Sequence, residues 1–491
     1  MNFKNPVTNS HAHWVAVLFL FLTTLFIRLP FFFRDYTDPD ESTFILMGQS
    51  IADGHLPYDH LWDLKPPLLF YIFGAIEYVV PHSFIAIRFF GVLVVFTSAL
   101  FLMKIAQKTR IENGFLVALL YIILSSELGN LQGLMSEHLA VFFILPGLLC
   151  LLEKRNLLYS LLAGICFGCA LLCKLSYAYA IVALLVCFLL LNWRKNSFEQ
   201  IFKSNLILLF GLLLPFFLIS IPFLVEKKPD VFIDSVFLAP LEYGHAQQYS
   251  FLQKIERTWW IILIGLLVSY LSIKRITKEN KPVAIASIAI LLGTIYTFFS
   301  SGIVNGHYLI QVFPFILLLA VGIIIQRKFK LRWRFLVLFV ILISVESLVE
   351  YYRLAKSYSQ NSTFYYRPGF QVVNELKSRG LDNKKIFFAD YHIGYWLLHQ
   401  YPLTKSTTHP SNINRSYLFK YFDVQRNSIE ELKYILEGIR PDVVVSKREQ
   451  LSFFSPDSGE NAYFKTTMNK EFTILQQDEK NRIVIWQRNK K

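Results

Sequence analysis

The sequence predicts a mostly α-helical, polytopic membrane bundle of about eleven spans, with interfacial helices along its outer face and a small C-terminal α/β domain. Composition points there first. Of 491 residues, 54% are hydrophobic and 16% aromatic, and the mean hydropathy is +0.42, above what soluble domains carry. Apolar runs of about 18 residues or more recur through the first two thirds, each long enough to cross a hydrocarbon core of about 30 Å. Beyond residue 350 the long runs give way to short β-branched ones separated by polar segments.

The apolar runs place spans at roughly 14–33, 84–103, 115–129, 133–152, 158–173, 175–193, 206–225, 258–273, 283–300, 308–326 and 335–350. The first run ends in Arg28-Leu29-Pro30 and aromatics, with no small-x-small site after it, so it reads as a span and not as a cleaved signal peptide. The tail carries strand-like Ile386–Ala389, Val443–Val445 and Ile483–Ile485 and helix-like Ile429–Gly438. It has no Gly-rich nucleotide loop. The domains expected are therefore 1–350, a membrane domain with an outer loop at 34–83, and 351–491, an extracytoplasmic α/β domain.

The formal charge of +14 would suggest nucleic acid in a soluble chain. Here the basic residues sit in alternate short loops: Lys104, Lys108 and Arg110; Lys154 and Arg155; Arg194 and Lys195; Lys274, Arg275, Lys278 and Lys281; Arg327, Lys328, Lys330, Arg332 and Arg334. That is the positive-inside pattern. It makes the bilayer the partner, excludes nucleic acid, and puts the 34–83 loop and the tail outside an inner (cell) membrane. All five cysteines lie in apolar runs, where they act as small hydrophobes and form neither a disulfide framework nor a zinc site.

The densest polar chemistry lies between Arg34 and Arg88, where the first span leaves the bilayer. Asp35, Asp38, Asp40 and Glu41 open it. The Asp38-Pro39-Asp40-Glu41 run suits a helix N-terminus, where the dipole favours negative charge. It equally suits a carboxylate acting as general base at the membrane surface, or a set of ligands for a divalent cation, the one cofactor the sequence raises. Asp63-Leu64-Lys65-Pro66-Pro67 leads into apolar Leu68–Val80. Asp63 is a candidate cap for that helix. Lys65 is either a snorkelling interfacial lysine or a cation for a phosphate at headgroup depth. Phe44–Ile51 and Leu68–Val80 are expected to lie in the interface plane.

Ionisable groups within the spans are few. Glu137 begins the fourth span and Lys174 ends the fifth. Either they form one salt bridge or they line a substrate path, because such charges are unfavourable in lipid without a partner or cavity. Arg28 and Arg88 are candidate headgroup anchors, as are His307 and Tyr308 at the start of the tenth span.

The order of these residues resembles a known family. Arg28, Asp40-Glu41, Gly54-His55-Leu56-Pro57-Tyr58, Lys65-Pro66-Pro67 and Arg88 come in sequence. Ser136-Glu137, Leu171-Leu172-Cys173-Lys174 and Gly306-His307-Tyr308 with Pro314 follow. Together they are similar to the C-type glycosyltransferases related to protein O-mannosyltransferases and to the bacterial aminoarabinose transferase of lipid A, over about residues 14–350. The resemblance implies an inverting membrane transferase that passes a sugar from a polyprenyl-phosphate carrier to an acceptor hydroxyl on the outer face. It implies Asp40, with Glu41, as the catalytic acid pair, Asp40 being the base, and Lys65 at the carrier phosphate. Arg88, Glu137, Lys174, His307 and Tyr308 are then the remaining substrate-binding positions. Glu137 stands where many relatives have aspartate, and Cys173 and Leu175 replace a threonine and a glycine often found around Lys174. Two other classes fit the composition: a flippase for a lipid-linked sugar, using the intramembrane charges, and an O-antigen-type ligase or polymerase using a diphosphate-linked glycan.

Overall fold

A computed structural model describes residues 10–35, 38–127, 131–153, 156–193, 197–246, 249–325, 333–424, 426–480 and 482–490. Of the basic loop residues, Lys154, Arg155, Arg194, Lys195, Arg327, Lys328, Lys330 and Arg332 lie outside the described residues. In chain order the main helices are α1 (Ser10–Arg28), α2 (Pro39–Ala52), α3 (Pro67–Val79), α4 (Phe84–Lys108), α5 (Gly114–Leu124), α6 (Ser136–Leu151), α7 (Leu157–Cys173), α8 (Ala178–Trp193) and α9 (Phe198–Val225). There follow α10 (Phe251–Ile273), α11 (Lys281–Ser301), α12 (Phe313–Ile324), α13 (Trp333–Ile343), α14 (Val345–Asn361) and α15 (Pro368–Ser378). The tail adds α16 (Ser428–Lys433), α17 (Gly459–Glu471) and strands β1 (Ile386–Phe388), β2 (Val443–Ser446), β3 (Phe472–Asp478) and β4 (Ile483–Arg488).

The chain forms two compact units. The first comprises Met1–Phe32, Arg88–Ile219 and Gln247–Tyr352, and the second Phe33–Ile87, Ser220–Ala246 and Arg353–Lys491. In the first unit, α7 and α9 approach through Gly164, Gly168 and Gly211, where an added Cβ would collide with the facing backbone. Such small-residue contacts are how helices associate without a hydrophobic driving force from water. Leu206, Leu209, Phe210, Leu213 and Phe217 of α9 remain exposed, as do Leu263, Leu266 and Leu267 of α10. An apolar face of that length is satisfied by lipid; this is a membrane protein.

Among the described residues, five helices are long and apolar enough to span: His13–Phe33, Phe84–Lys108, Phe198–Val225, Phe251–Ile273 and Lys281–Ser301. A sixth forms if the Arg334–Ile343 and Val345–Asn361 pair, bent by 72°, counts as one. The other five expected spans are occupied by shorter apolar helices of 10–17 residues. They are short because the chain breaks at polar residues. Lys174 has extended backbone between α7 and α8, and a 3₁₀ turn at Gly306–Gln311 precedes α12. Irregular backbone at membrane depth is stable where protein buries it.

In the second unit the sheet runs β1-β2-β4-β3. β1 lies parallel to β2, with Ile386 opposite Val443, and the other two pairs are antiparallel. Every residue of β1 and β2 is buried. Leu432 of α16 and Phe464 and Met468 of α17 pack against Phe387, Val444 and Trp486. The three expected strands form. β3 was not expected, because its Gln476-Gln477-Asp478 end is wholly polar and the strand shows no period of two.

Candidate functional site

The second unit holds the acids of the 34–83 loop, and each takes a different partner. Asp38, in extended backbone, caps α2 by accepting from the Asp40 amide at 2.9 Å, with Pro39 at the first helical position. Asp35 accepts from the Phe370 amide at 2.8 Å, and Asp59 pairs with Lys228 at 3.0 Å. Asp40 Oδ2 meets Lys65 Nζ at 2.9 Å, with each side chain about a fifth exposed, while Glu41 is buried. Among the described residues no group of three or more His, Cys, Asp or Glu side chains is arranged to hold a metal ion.

Local sequence builds the Asp40–Lys65 pair. Gly54 (φ +94°) and Tyr58 (φ +70°) take left-handed backbone that turns the chain after α2. The buried Tyr58 hydroxyl donates to the Lys65 carbonyl at 2.7 Å and so fixes the residue that carries the ammonium. Burial pushes the Tyr58 phenol well above its ordinary value, with the Asp63 charge adding to the shift, so it remains a donor. Gly48 lets α2 pack directly on α3, for a Cβ there would come within 2.8 Å of the Phe73 backbone. The starts of α2 and α3 then lie side by side at the pair. Both helix N-termini bring partial positive charge to this spot. Asp63 does not cap α3: the N-cap is Pro66, without a side-chain bond, and Asp63 is buried instead. Two prolines ahead of the helix leave few amides for a cap to satisfy.

The tail contributes to the same cluster. His409 Nε2 lies 3.4 Å from Asp40 Oδ1. His392, which follows β1, contacts Thr43 Oγ1 at 3.0 Å. Burial holds the His392 imidazole well below its usual value, and the neighbouring His409 pushes it further. Trp62 is fully buried; its indole donates to Ser235 Oγ at 3.0 Å, its amide donates to Thr408 Oγ1 at 3.3 Å, and its carbonyl accepts from Asn412 at 3.3 Å.

The first unit gathers four sequence candidates into a second cluster. Lys174 Nζ meets Glu137 Oε1 at 2.5 Å, with the Glu137 side chain fully buried. Ser136 Oγ donates to the other carboxylate oxygen at 3.0 Å. His307 Nε2 stands 4.0 Å from Glu137, and the Lys174 ammonium lies 4.4 Å from the Tyr308 ring centre. His307 and Tyr308 thus meet the ion pair. Arg28 and Arg88 are not headgroup anchors, since each is 1% exposed. Arg28 donates to the carbonyls of Gln132 and Gly133, both at 2.8 Å, and of Leu131 at 3.2 Å. It ties together the chain that links α5 to α6.

The competence-induced Ccs4 N-terminal domain family matches residues 3–334. The chain belongs to that family. The eight candidates Asp40, Glu41, Lys65, Arg88, Glu137, Lys174, His307 and Tyr308 all fall inside the Ccs4 N-terminal match, and His392 and His409 lie beyond it. No curated protein matches the chain by sequence. In three dimensions it is similar to ArnT from Cupriavidus metallidurans bound to undecaprenyl phosphate, with TM-score 0.52 and 14% identity over 96% of this chain and 98% of that one. This likeness shows the fold alone: the chain folds as that structure does. The oligosaccharyltransferase AglB from Archaeoglobus fulgidus, in complex with an inhibitory peptide and a dolichol-phosphate, is similar with TM-score 0.40 and 12% identity over 88% of this chain and 69% of that one. The apo form of the Archaeoglobus fulgidus enzyme gives TM-score 0.44 and 13% identity over 90% and 70%.

Sequence reasoning missed His392, His409 and Trp62. Their partners stand from 173 positions (Trp62 to Ser235) to about 350 positions or more away along the chain, and no local spacing signals such a contact.

Proposed function

We propose that this chain is a glycosyltransferase of the cell (inner) membrane that moves a sugar from a polyprenyl-phosphate carrier to an acceptor hydroxyl. The outer loop and residues 351–491 are assigned to the extracytoplasmic face. The observation that carries this is the 2.9 Å contact between Lys65 and Asp40, made where two helices begin. A carboxylate and an ammonium side by side, partly exposed, supply the base and the anion site that the reaction needs.

In this mechanism the acceptor O–H gives its proton to Asp40 as its oxygen attacks the anomeric carbon. The C1–O bond to phosphate breaks, and its electron pair leaves on the polyprenyl phosphate. Attack opposite the leaving group inverts the anomeric centre through an oxocarbenium-like state. Lys65 and the helix N-termini stabilise the phosphate charge as it develops, a role whose loss typically lowers turnover about 100- to 1,000-fold. The leaving phosphate is already a weak base, so one carboxylate suffices. The burial of Glu41 favours Asp40 as the base. Undecaprenyl phosphate, bound in the ArnT structure, belongs to the proposed class of carrier.

In membranes containing correctly inserted protein, Asp40→Asn is expected to lower sugar transfer from a polyprenyl-phosphate donor by about 100-fold or more. Transfer by Asp40→Asn at the wild-type rate removes Asp40 from the mechanism. Movement of donor across vesicles without release of polyprenyl phosphate would identify a flippase.

A further inference from the structure

His409 carries a feature that the chemistry above does not use. Its Nδ1 lies 3.1 Å from the Ser411 amide and 2.7 Å from the Ser411 hydroxyl. An amide N–H can only donate, so Nδ1 is the acceptor nitrogen and the proton of the neutral ring sits on Nε2. That Nε2–H is buried and has no hydrogen-bond partner among the described residues. The atom it faces is Asp40 Oδ1, at 3.4 Å, a few tenths of an ångström beyond the usual N–H···O range of about 2.7–3.2 Å. Buried N–H groups without partners are rare in folded proteins, and contacts that act during turnover are often long before substrate binds.

The ring has little freedom to turn away. Ser411 holds Nδ1 on one side. The flanking residues Thr408 and Asn412 bond to the Trp62 amide and carbonyl, so the 408–412 loop is fastened to the outer loop on both sides of His409. The Phe453 ring lies 5.9 Å away between centroids and the His392 ring likewise. His392 is engaged with Thr43.

We propose that His409, contributed by the C-terminal tail, is a positioning residue for the Asp40 carboxylate. This rests on Asp40 being the base. Lys65 holds Oδ2. When the carrier phosphate draws the Lys65 ammonium away, the carboxylate loses that restraint and a small rotation brings Oδ1 onto the waiting Nε2–H. The base then stays oriented while it is freed of its cation, and donor binding precedes activation of the acceptor. Lys65 serves the donor phosphate, His409 serves the geometry of proton transfer, and the tail is part of the catalytic apparatus.

The test uses full-length protein in detergent and the polyprenyl-phosphate donor that supports wild-type transfer. His409→Ala is expected to lower kcat about 10- to 100-fold, the scale of a misplaced catalytic group, and to leave the donor KM within about twofold because the phosphate contact is untouched. His409→Gln, whose amide can place an N–H near the position of Nε2, is expected to recover at least about tenfold of that loss, a rescue a purely structural role would not give. Wild-type kcat in His409→Ala overturns the proposal, and so does a loss carried mainly by KM. A thermal-melting cycle of His409→Ala, Asp40→Ala and the double variant, each of which deletes one side of the contact, reads it without substrate, with non-additive shifts expected. Additive shifts overturn the contact itself. Wild-type transfer by Asp40→Asn with non-additive melting would instead show that the contact exists while the base assignment has failed.

Discussion

Lys174→Met removes the cation from a carboxylate that has no access to water. Glu137 is 0% exposed, and its Oε1 lies 2.5 Å from the ammonium. Breaking a buried pair by removing one partner typically destabilises by about 3–5 kcal/mol, because the remaining charge stays desolvated. Ser136 Oγ still donates to Oε2 at 3.0 Å and His307 stands 4.0 Å away, which places the expected loss near the lower end, at about 3 kcal/mol. That corresponds to about a 100-fold change in the folding equilibrium. Glu137→Met should be milder, because the Lys174 side chain is 9% exposed and a long stem can carry its charge toward water. The double variant removes both charges and should regain most of the lost stability. The assay is thermal melting of full-length protein in detergent for the four combinations. If Lys174→Met melts with the wild type, or the double variant melts no higher than Lys174→Met, the pair does not hold the break between α7 and α8 as described.

Tyr58→Phe deletes the hydroxyl that fixes the Lys65 carbonyl at 2.7 Å. It should destabilise by about 0.5–1.5 kcal/mol and raise the donor KM more than it lowers kcat, as steady-state kinetics would show; an unchanged KM would sever Tyr58 from Lys65. His392 supplies a pH dependence. Its imidazole is held neutral well below its usual value by burial, whereas the unfolded chain takes up a proton near the ordinary value of about 6.5. The unfolded state then binds more protons, so the stability from this site is complete above about pH 6.5 and is lost as pH falls below it. His392→Gln should flatten that acid limb in melting curves recorded from pH 7.5 to 5, and an unaltered slope would exclude His392 as its source.

Much of the outer loop was legible along the chain because its signals are local. Asp38 before Pro39 specifies an N-cap from neighbouring atoms alone, and it forms. The Gly54–Tyr58 turn needs residues that change the chain direction, and they occur in order. Hydropathy alone marks this as a membrane protein, since the bilayer reads each segment separately. The number of full-length spans was less legible: α5 and α12 are apolar but short, and side chains bond the carbonyls just past their ends, Arg28 and His138 at Ser125 and Asn113 at Ile325. The sequence offered Glu137, Lys174, His307 and Tyr308 as four separate candidates, and only folding joins them around one carboxylate.

Sequence by itself determined the membrane class, the polar 34–83 loop and the identity of Asp40 and Lys65 as candidates, because hydropathy, caps and motif order are properties of adjacent residues. Tertiary structure alone decided which of the acids meets the lysine, that Asp63 is buried away from the helix it seemed to cap, and that His409 faces Asp40. Those outcomes depend on α2 packing against α3 at Gly48 and on a tail loop bonded to Trp62. Contacts between residues hundreds of positions apart are set by the packing of surfaces, and no local pattern records which surfaces will meet.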